Sequence, residues 1–374
     1  MKFSISSTQM YAQLQTVSRV IASKNTMPIL DNVLFELNGN QLKLTAADQE
    51  TTMETIVTVN ESEGQGKVSI DAKWLLNMLR EFSEQPLTFD INDDNFAVLI
   101  ASQNGNYTSI GQNGNEFPQM PAIGEDAQAF TMSAEAMLNG INKSLFCAGD
   151  DEIRPVMNGV FFDLKQDSLT LVATDAHKLV RLVNTTVHTD TPASFILPKK
   201  PANMLKNVLP KEEGDVQVLF DSKFARFTLG NYTIVCRQIE GRFPNYNAVI
   251  PQNNARKVVV DRVSLISAIK RVQVCASAAS NLIKLHFADN QIEVSAQDID
   301  FSIAAREMVA CQYTDEPLSI GFKSVFLIEL LSAINSTDVV IALADASRAG
   351  LILPFENEAN EDLLMLLMPM LLNE

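Results

Sequence analysis

The chain has 374 residues, is 46% hydrophobic and 20% charged, and carries a net charge of −16. That length suits two to three domains, and the mix describes a globular protein rather than a disordered one. The charge argues against a conventional nucleic-acid binder with a dominant basic surface, and the longest apolar stretch, 363–372, contains Pro369 and is too short to span a bilayer.

The opening Met1-Lys2-Phe3-Ser4-Ile5-Ser6 alternates as a strand and lacks the apolar core of a secretion signal. Ser7 is the expected N-cap of a helix carrying Tyr11, Leu14, Val17 and Ile21 at helical spacing. Strands follow at 33–37 and 42–46, joined by the turn Asn38-Gly39-Asn40, and a β-branched run continues from 51 to 59. A second helix places Trp74, Leu75, Met78, Leu79 and Phe82 on one face, and more strands lead to Phe117-Pro118 and a linker at 118–126. The plan then recurs. Ser133 precedes Met137, Leu138, Ile141 and Leu145; a later helix carries Met204, Leu205 and Val208; Phe243-Pro244 and a linker at 249–256 close this stretch. The third pass runs from Asp261 through Leu265, Ile266, Ile269 and Val272, and then through Phe326, Leu327, Leu330, Leu331 and Ile334.

Asp48, Asp175 and Asp298 mark the recurrence, 127 and then 123 residues apart. Phe3 matches Phe130, and Lys73 matches Lys200 and Lys323. A period of that size means three copies of one domain, expected at 1–123, 124–251 and 252–374. Each copy reads as two half-copies of similar plan, giving an α+β domain with two helices on one face of antiparallel sheets. The matching aspartates are expected to brace turns through local amide bonds. Cys147, Cys236, Cys275 and Cys311 have neither paired spacing nor a CxxC; Cys147 and Cys275 fall at equivalent positions and are expected to be buried fillers in a reduced cytoplasm. The six predicted helices carry a net +6, so the remainder of the −16 total is −22, which suggests one mildly basic, helix-lined surface.

With Met1-Lys2-Phe3, Met27-Pro28-Ile29-Leu30, Ala173-Thr174-Asp175-Ala176-His177-Lys178-Leu179, Arg242-Phe243-Pro244-Asn245-Tyr246 and Met368-Pro369-Met370 in order, the whole chain resembles the beta subunits of bacterial DNA polymerase III, the replicative sliding clamps. The resemblance implies the DNA clamp fold and a head-to-tail homodimer that closes six domains into a ring around duplex DNA, with sequence-independent binding. It implies no catalytic residue, no cofactor and no metal. Its partners are the polymerase III catalytic subunit, the clamp loader and other proteins with clamp-binding motifs. They would bind an apolar pocket formed by Met157, Thr174, Ala176, His177, Lys178, Leu179, Pro244, Val249, Phe326, Ala349, Leu366, Leu367, Met368, Pro369 and Met370. DNA contacts are expected at Lys24, Arg154, Lys199, Lys200 and Lys206, and dimer contacts at Lys73, Tyr107, Val274 and Cys275. Asp151 stands where a polar DNA-touching residue is common. The family usually has glycine at Ala176 and arginine at Lys178, and this chain ends Leu371-Leu372-Asn373-Glu374 instead of Arg-Leu.

Two other readings stay open at this stage. A monomeric three-domain peptide-binding scaffold would share the pocket without encircling DNA. An enzyme using His177 oriented by Asp175 is disfavoured because Asp48 and Asp298 hold the same place without a histidine.

Overall fold

The computed structural model describes residues 1–372; Asn373 and Glu374 of the divergent ending lie outside the described residues. Six α-helices occur among them: α1 (Ser7–Val17), α2 (Ala72–Leu79), α3 (Ala134–Ser144), α4 (Lys199–Val208), α5 (Arg262–Val272) and α6 (Ser324–Ser332). None is long and apolar enough to cross a membrane. The chain packs as two compact units, 1–138 with 200–238, and 139–199 with 239–374, so the middle copy is divided between them.

In the first unit, one sheet runs in the order Glu61–Glu63, Lys2–Ser6, Pro86–Ile91, Ala97–Ala101, Asn106–Ile110. A nine-stranded sheet runs Gln112–Asn113, Gly66–Asp71, Asn32–Asn38, Gln41–Ala47, Thr51–Thr58, Tyr232–Arg237, Phe224–Leu229, Asp215–Phe220, Gln128–Ser133. In its middle, Thr51–Thr58 of the first copy pairs antiparallel with Tyr232–Arg237 of the second, with Thr55 opposite Tyr232 and Thr51 opposite Cys236. Helix α1 packs on α2 and on the strands Gln41–Ala47 and Thr51–Thr58, burying Met10, Leu14 and Val17. Phe3 stacks on Phe89 at 4.8 Å inside this core.

The second unit holds a twelve-stranded sheet in the order Ala193–Pro198, Gly159–Lys165, Ser168–Thr174, Lys178–Asn184, Glu361–Leu367, Gly350–Pro354, Asp338–Leu343, Arg256–Asp261, Ile303–Gln312, Gln291–Asp298, Leu282–Ala288, Leu318–Lys323. The second copy is joined to the third by seven antiparallel pairs between Lys178–Asn184 and Glu361–Leu367. Helix α5 packs on α6 and on the strands Gln291–Asp298 and Ile303–Gln312.

Several expectations meet the structure closely. The hairpin at 38–40 turns through Gly39 at φ +59, a conformation glycine adopts without steric cost. Asp261 caps α5 by accepting from the Ser264 amide at 2.7 Å, and Ser133 accepts from the Ala136 amide at 3.2 Å. The first cap is shifted by one residue: Ser6 accepts from the Gln9 amide at 3.2 Å, whereas buried Ser7 donates to the Ser83 carbonyl at 2.9 Å. Cys147 and Cys236 are buried, but Cys275 is half-buried, which corrects its reading as a core filler. Strand register also moves one match. Asn32 pairs with Asp71 and Gly159 with Pro198, while Leu282 pairs with Lys323. Lys323 therefore aligns with the capping Asp71, and Val325, not Lys323, occupies the place of Lys73 and Lys200.

Candidate functional site

Each of the three marker aspartates braces a turn. Asp48 Oδ1 accepts the amides of Glu50 and Thr51 at 2.8 and 2.7 Å. Asp175 Oδ1 accepts those of His177 and Lys178, both at 2.9 Å, and Asp298 those of Asp300 and Phe301 at 3.0 and 3.3 Å. The same device recurs in each second half-copy, at Asn92, Asp221 and Asp345. The sequence carries that second set only as an asparagine and two aspartates 44, 46 and 47 residues after the first. Asp175 thus braces a turn through Oδ1, as its counterparts do.

All fifteen expected pocket residues fall in the second unit. They gather at the ends of the paired strands Lys178–Asn184 and Glu361–Leu367. Leu179 lies opposite Leu366 and Lys178 opposite Leu367, and the Met368 amide donates to the His177 carbonyl at 2.8 Å. The terminal segment then crosses to the third copy's sheet, with the Met370 amide 2.8 Å from the Gly321 carbonyl. Leu179, Ala349 and Leu366 belong to one buried cluster with Phe243, Tyr246, Ile250 and Leu364. Beside it, the Phe161 and Phe243 rings stack at 4.6 Å, next to half-buried Pro244. Tyr246 is anchored there by donating its hydroxyl to Asp163 at 2.7 Å. Burial, together with the bond to Asp163 and that residue's charge, pushes its pKa up to about 12.

Over this floor the solvent-facing members are Ala176, His177, Val249 and Met368, with Met157, Phe326, Pro369 and Met370 half-buried. Thr174 Oγ1 closes the turn, donating to the Lys178 carbonyl at 2.8 Å and accepting from the Ala176 amide at 3.1 Å. Ala176 sits at φ +74, left-handed backbone that glycine takes more readily. The His177 ring lies 6.2 Å from that of Phe326, tilted by 27°. Lys178 does not present its charge to solvent. Its side chain is 5% exposed and its ammonium pairs with Glu329, donates to the Phe146 carbonyl at 3.1 Å and lies 4.8 Å from the Phe326 ring centre.

The expected DNA contacts are less uniform than the sequence suggests. Lys24 is exposed and Lys206 half-buried, and neither makes an ion pair among the described residues. Arg154 is held by Asp151 through two contacts of 2.8 Å, and Lys199 pairs with Asp150 at 2.8 Å. Lys200 pairs with Asp48 and donates to the Val20 carbonyl at 2.6 Å. The sequence suggests a mildly basic, helix-lined surface, yet Lys143 is 5% exposed and lies between Glu358 at 3.0 Å and Glu361 at 2.7 Å. Much of the positive charge counted on the helices is therefore neutralised locally. Of the expected dimer contacts, Lys73 is exposed, Tyr107 meets Phe82 edge-on at 5.3 Å, Val274 is 75% exposed and Cys275 is half-buried.

Three family models match the chain in order: the N-terminal domain of DNA polymerase III beta subunit over residues 1–121, its central domain over 131–245 and its C-terminal domain over 247–371. A beta sliding clamp from Pseudomonas putida is 26% identical over 371 residues, covering 99% of this chain and 100% of the relative. One from Synechococcus elongatus is 29% identical over 355 residues, covering 92% of each. Among solved structures, a DnaN sliding clamp from Bartonella birtlesii bound to griselimycin superposes with a TM-score of 0.93 at 28% identity, covering 100% of both chains. With three consecutive domain matches and relatives aligned from end to end, the chain belongs to the DNA polymerase III beta subunit family.

Proposed function

We propose that the chain is a DNA sliding clamp, a processivity factor that encircles duplex DNA and tethers a replicative polymerase, with no chemistry of its own. The observation that carries the reading is strand pairing between copies. At each internal junction, the strand after the marker aspartate pairs with the third strand after the second helix of the next copy: Thr51–Thr58 with Tyr232–Arg237, and Lys178–Asn184 with Glu361–Leu367. Applied once more, the rule matches Ile303–Gln312 to Asn106–Ile110 of a second chain. Asn106–Ile110 is a sheet edge with Tyr107 and Ile110 exposed. Ile303–Gln312 has its far side paired only at Cys311 and Gln312, with Ile303 and Met308 exposed. Open edges of this kind call for a partner, and a head-to-tail contact that closes on itself makes a ring.

The same rule carries the pair Lys200–Asp48 to Lys73 of one chain and Asp298 of another, beside Val274 and Cys275. The repeat domains are then 1–123, 124–251 and 252–374. Duplex DNA would pass through the ring without sequence readout, touched at Lys24, Arg154, Lys199, Lys200 and Lys206; a largely neutralised set holds phosphates loosely, as sliding requires. The pocket would receive segments of the polymerase III catalytic subunit, the clamp loader and other clamp-binding proteins, and would also be where griselimycin binds this chain. A cytoplasmic setting fits these partners.

The test is mass followed by topology. Sedimentation should give twice the 41.2 kDa chain mass, and clamps loaded on nicked circular DNA should be retained until the circle is linearised. Stable monomers at micromolar concentration, with peptide binding intact, would instead favour the monomeric scaffold.

A further inference from the structure

The two internal junctions use one ammonium site, filled from opposite sides. At the first, Lys200 comes from the second helix of the next copy. It meets Asp48 of the marker turn and the carbonyl of Val20, in the 3-10 turn Ser18–Val20 that follows α1. At the second, the ammonium is that of Lys178, from the marker turn itself. It meets the carbonyl of Phe146, in the equivalent 3-10 turn Leu145–Cys147, and the carboxylate of Glu329, on the second helix of the next copy. The cation and its closest carboxylate have exchanged copies, with Asp175 of the marker turn still 4.0 Å from the ammonium, while the carbonyl stays in the same turn.

The exchange has a local result. Val325 occupies the place of Lys200, so α6 sends no lysine into the junction and Phe326 faces the turn instead. The Phe326 ring then has Lys178 Nζ at 4.8 Å, Lys323 Nζ at 4.6 Å and the His177 ring at 6.2 Å. Phe146 lies 5.4 Å from the same Lys178 ammonium. Ammonium–ring contacts strengthen when desolvated, and Lys178 is 5% exposed.

We propose that Lys178 and Glu329 form a charge-reversed clasp that positions Phe326 and the His177 turn, keeping the peptide pocket preformed. Lys178 is a positioning residue here, not a cation offered to the ligand: its buried ammonium already bonds Glu329 and the Phe146 carbonyl and has Asp175 Oδ2 at 4.0 Å. The proposal rests on the pocket reading above and adds its internal support. It also accounts for why the second junction, and not the first, has an aromatic wall in place of a lysine.

Labelled griselimycin titrated into the full-length chain by fluorescence polarisation tests it, with Lys178→Met, Glu329→Met and the double variant. A clasp predicts that Glu329→Met weakens binding about tenfold, because it strands the Lys178 ammonium, 5% exposed, whereas Lys178→Met leaves Glu329 39% exposed to water, and that the double recovers most of the Glu329→Met loss. If Lys178→Met and the double lose binding equally while Glu329→Met matches wild type, Lys178 touches the ligand and the clasp is overturned. A readout without ligand runs beside it. The chain has three histidines, so His177 can be followed by NMR through its ring-current shift from Phe326. That shift should be lost in Glu329→Met and regained in the double; an unchanged shift in folded Glu329→Met overturns the clasp. Should wild type fail to bind griselimycin, the pocket reading fails, and the histidine signal still decides the clasp.

Discussion

Replacing Lys143 by methionine tests how the second unit joins its copies. Lys143 on α3 belongs to the second copy, and Glu358 and Glu361 to the third. Asn139 reinforces the group with bonds to both glutamates at 3.0 and 2.7 Å, and Asn335 donates to Glu358 at 2.7 Å. Lys143 and Glu361 are 5% and 6% exposed, so removing the ammonium strands a carboxylate away from water. Breaking such a pair costs about 3–5 kcal/mol. Glu358 is 42% exposed, and its share is at most about 1 kcal/mol after solvent screening. For a unit of roughly 200 residues this means a fall in melting temperature of about 6–20 °C. Calorimetry of the full chain at pH 7.5 measures it, and Lys143→Met with Glu361→Leu should recover most of the loss.

The acid side supplies a sign. Burial alone would raise the Glu358 carboxyl, but bonds from Asn335, Lys143 and Asn139 and the charge of Lys143 outweigh it and hold the group below its ordinary value of 4.5. A depressed folded pKa contributes stability that is present above pH 4.5 and lost as pH falls through the folded value. The gap between wild type and Lys143→Met should therefore narrow below about pH 4.5. A loss under 1 kcal/mol at pH 7.5, or a gap that widens in acid, refutes the reasoning.

Ala176→Gly should be neutral or stabilising by up to about 1 kcal/mol by urea melts, since relief of left-handed strain offsets glycine's extra unfolded-state entropy; Ala176→Val should destabilise. Lys24→Ala and Lys206→Ala should each lower the salt slope of DNA binding by about one. Lys200→Ala should mainly cost stability, because Asp48 is 14% exposed and already holds that charge; a full unit of salt slope lost at Lys200 would contradict this. Tyr246→Phe should cost about 1.5–3 kcal/mol, the range for a hydrogen bond to a charged group, and remove a tyrosine step near pH 12 from an ultraviolet titration.

What could be read from the chain alone was what depends on near neighbours. The marker turns, the hairpin at Gly39 and the caps at Ser133 and Asp261 are set by bonds spanning two or three residues. The Ser6–Ser7 shift is the limit of that legibility: both serines suit a cap, and the choice falls to Ser83, 76 residues away, which engages Ser7. Lys143 and Lys200 looked like solvated helix charges because their carboxylates lie 218 and 152 residues away. The place of Lys323 was misread for a related reason. Only strand register, set by Leu282 pairing with Lys323, shows that Val325 is the true counterpart of Lys200. The pocket's members were expected from resemblance alone, and the burial of Lys178 depends on Glu329, 151 residues on.

Strand pairing between copies has a consequence for assembly at low abundance. Two junctions of each chain join segments of the same polypeptide, so when thermal motion parts them they re-form at the high effective concentration that a tether imposes. The pairing proposed between chains has no tether and re-forms only as fast as separate molecules meet. Dilution would thus open such a ring at its intermolecular seams alone, leaving every three-copy chain intact and ready to close again.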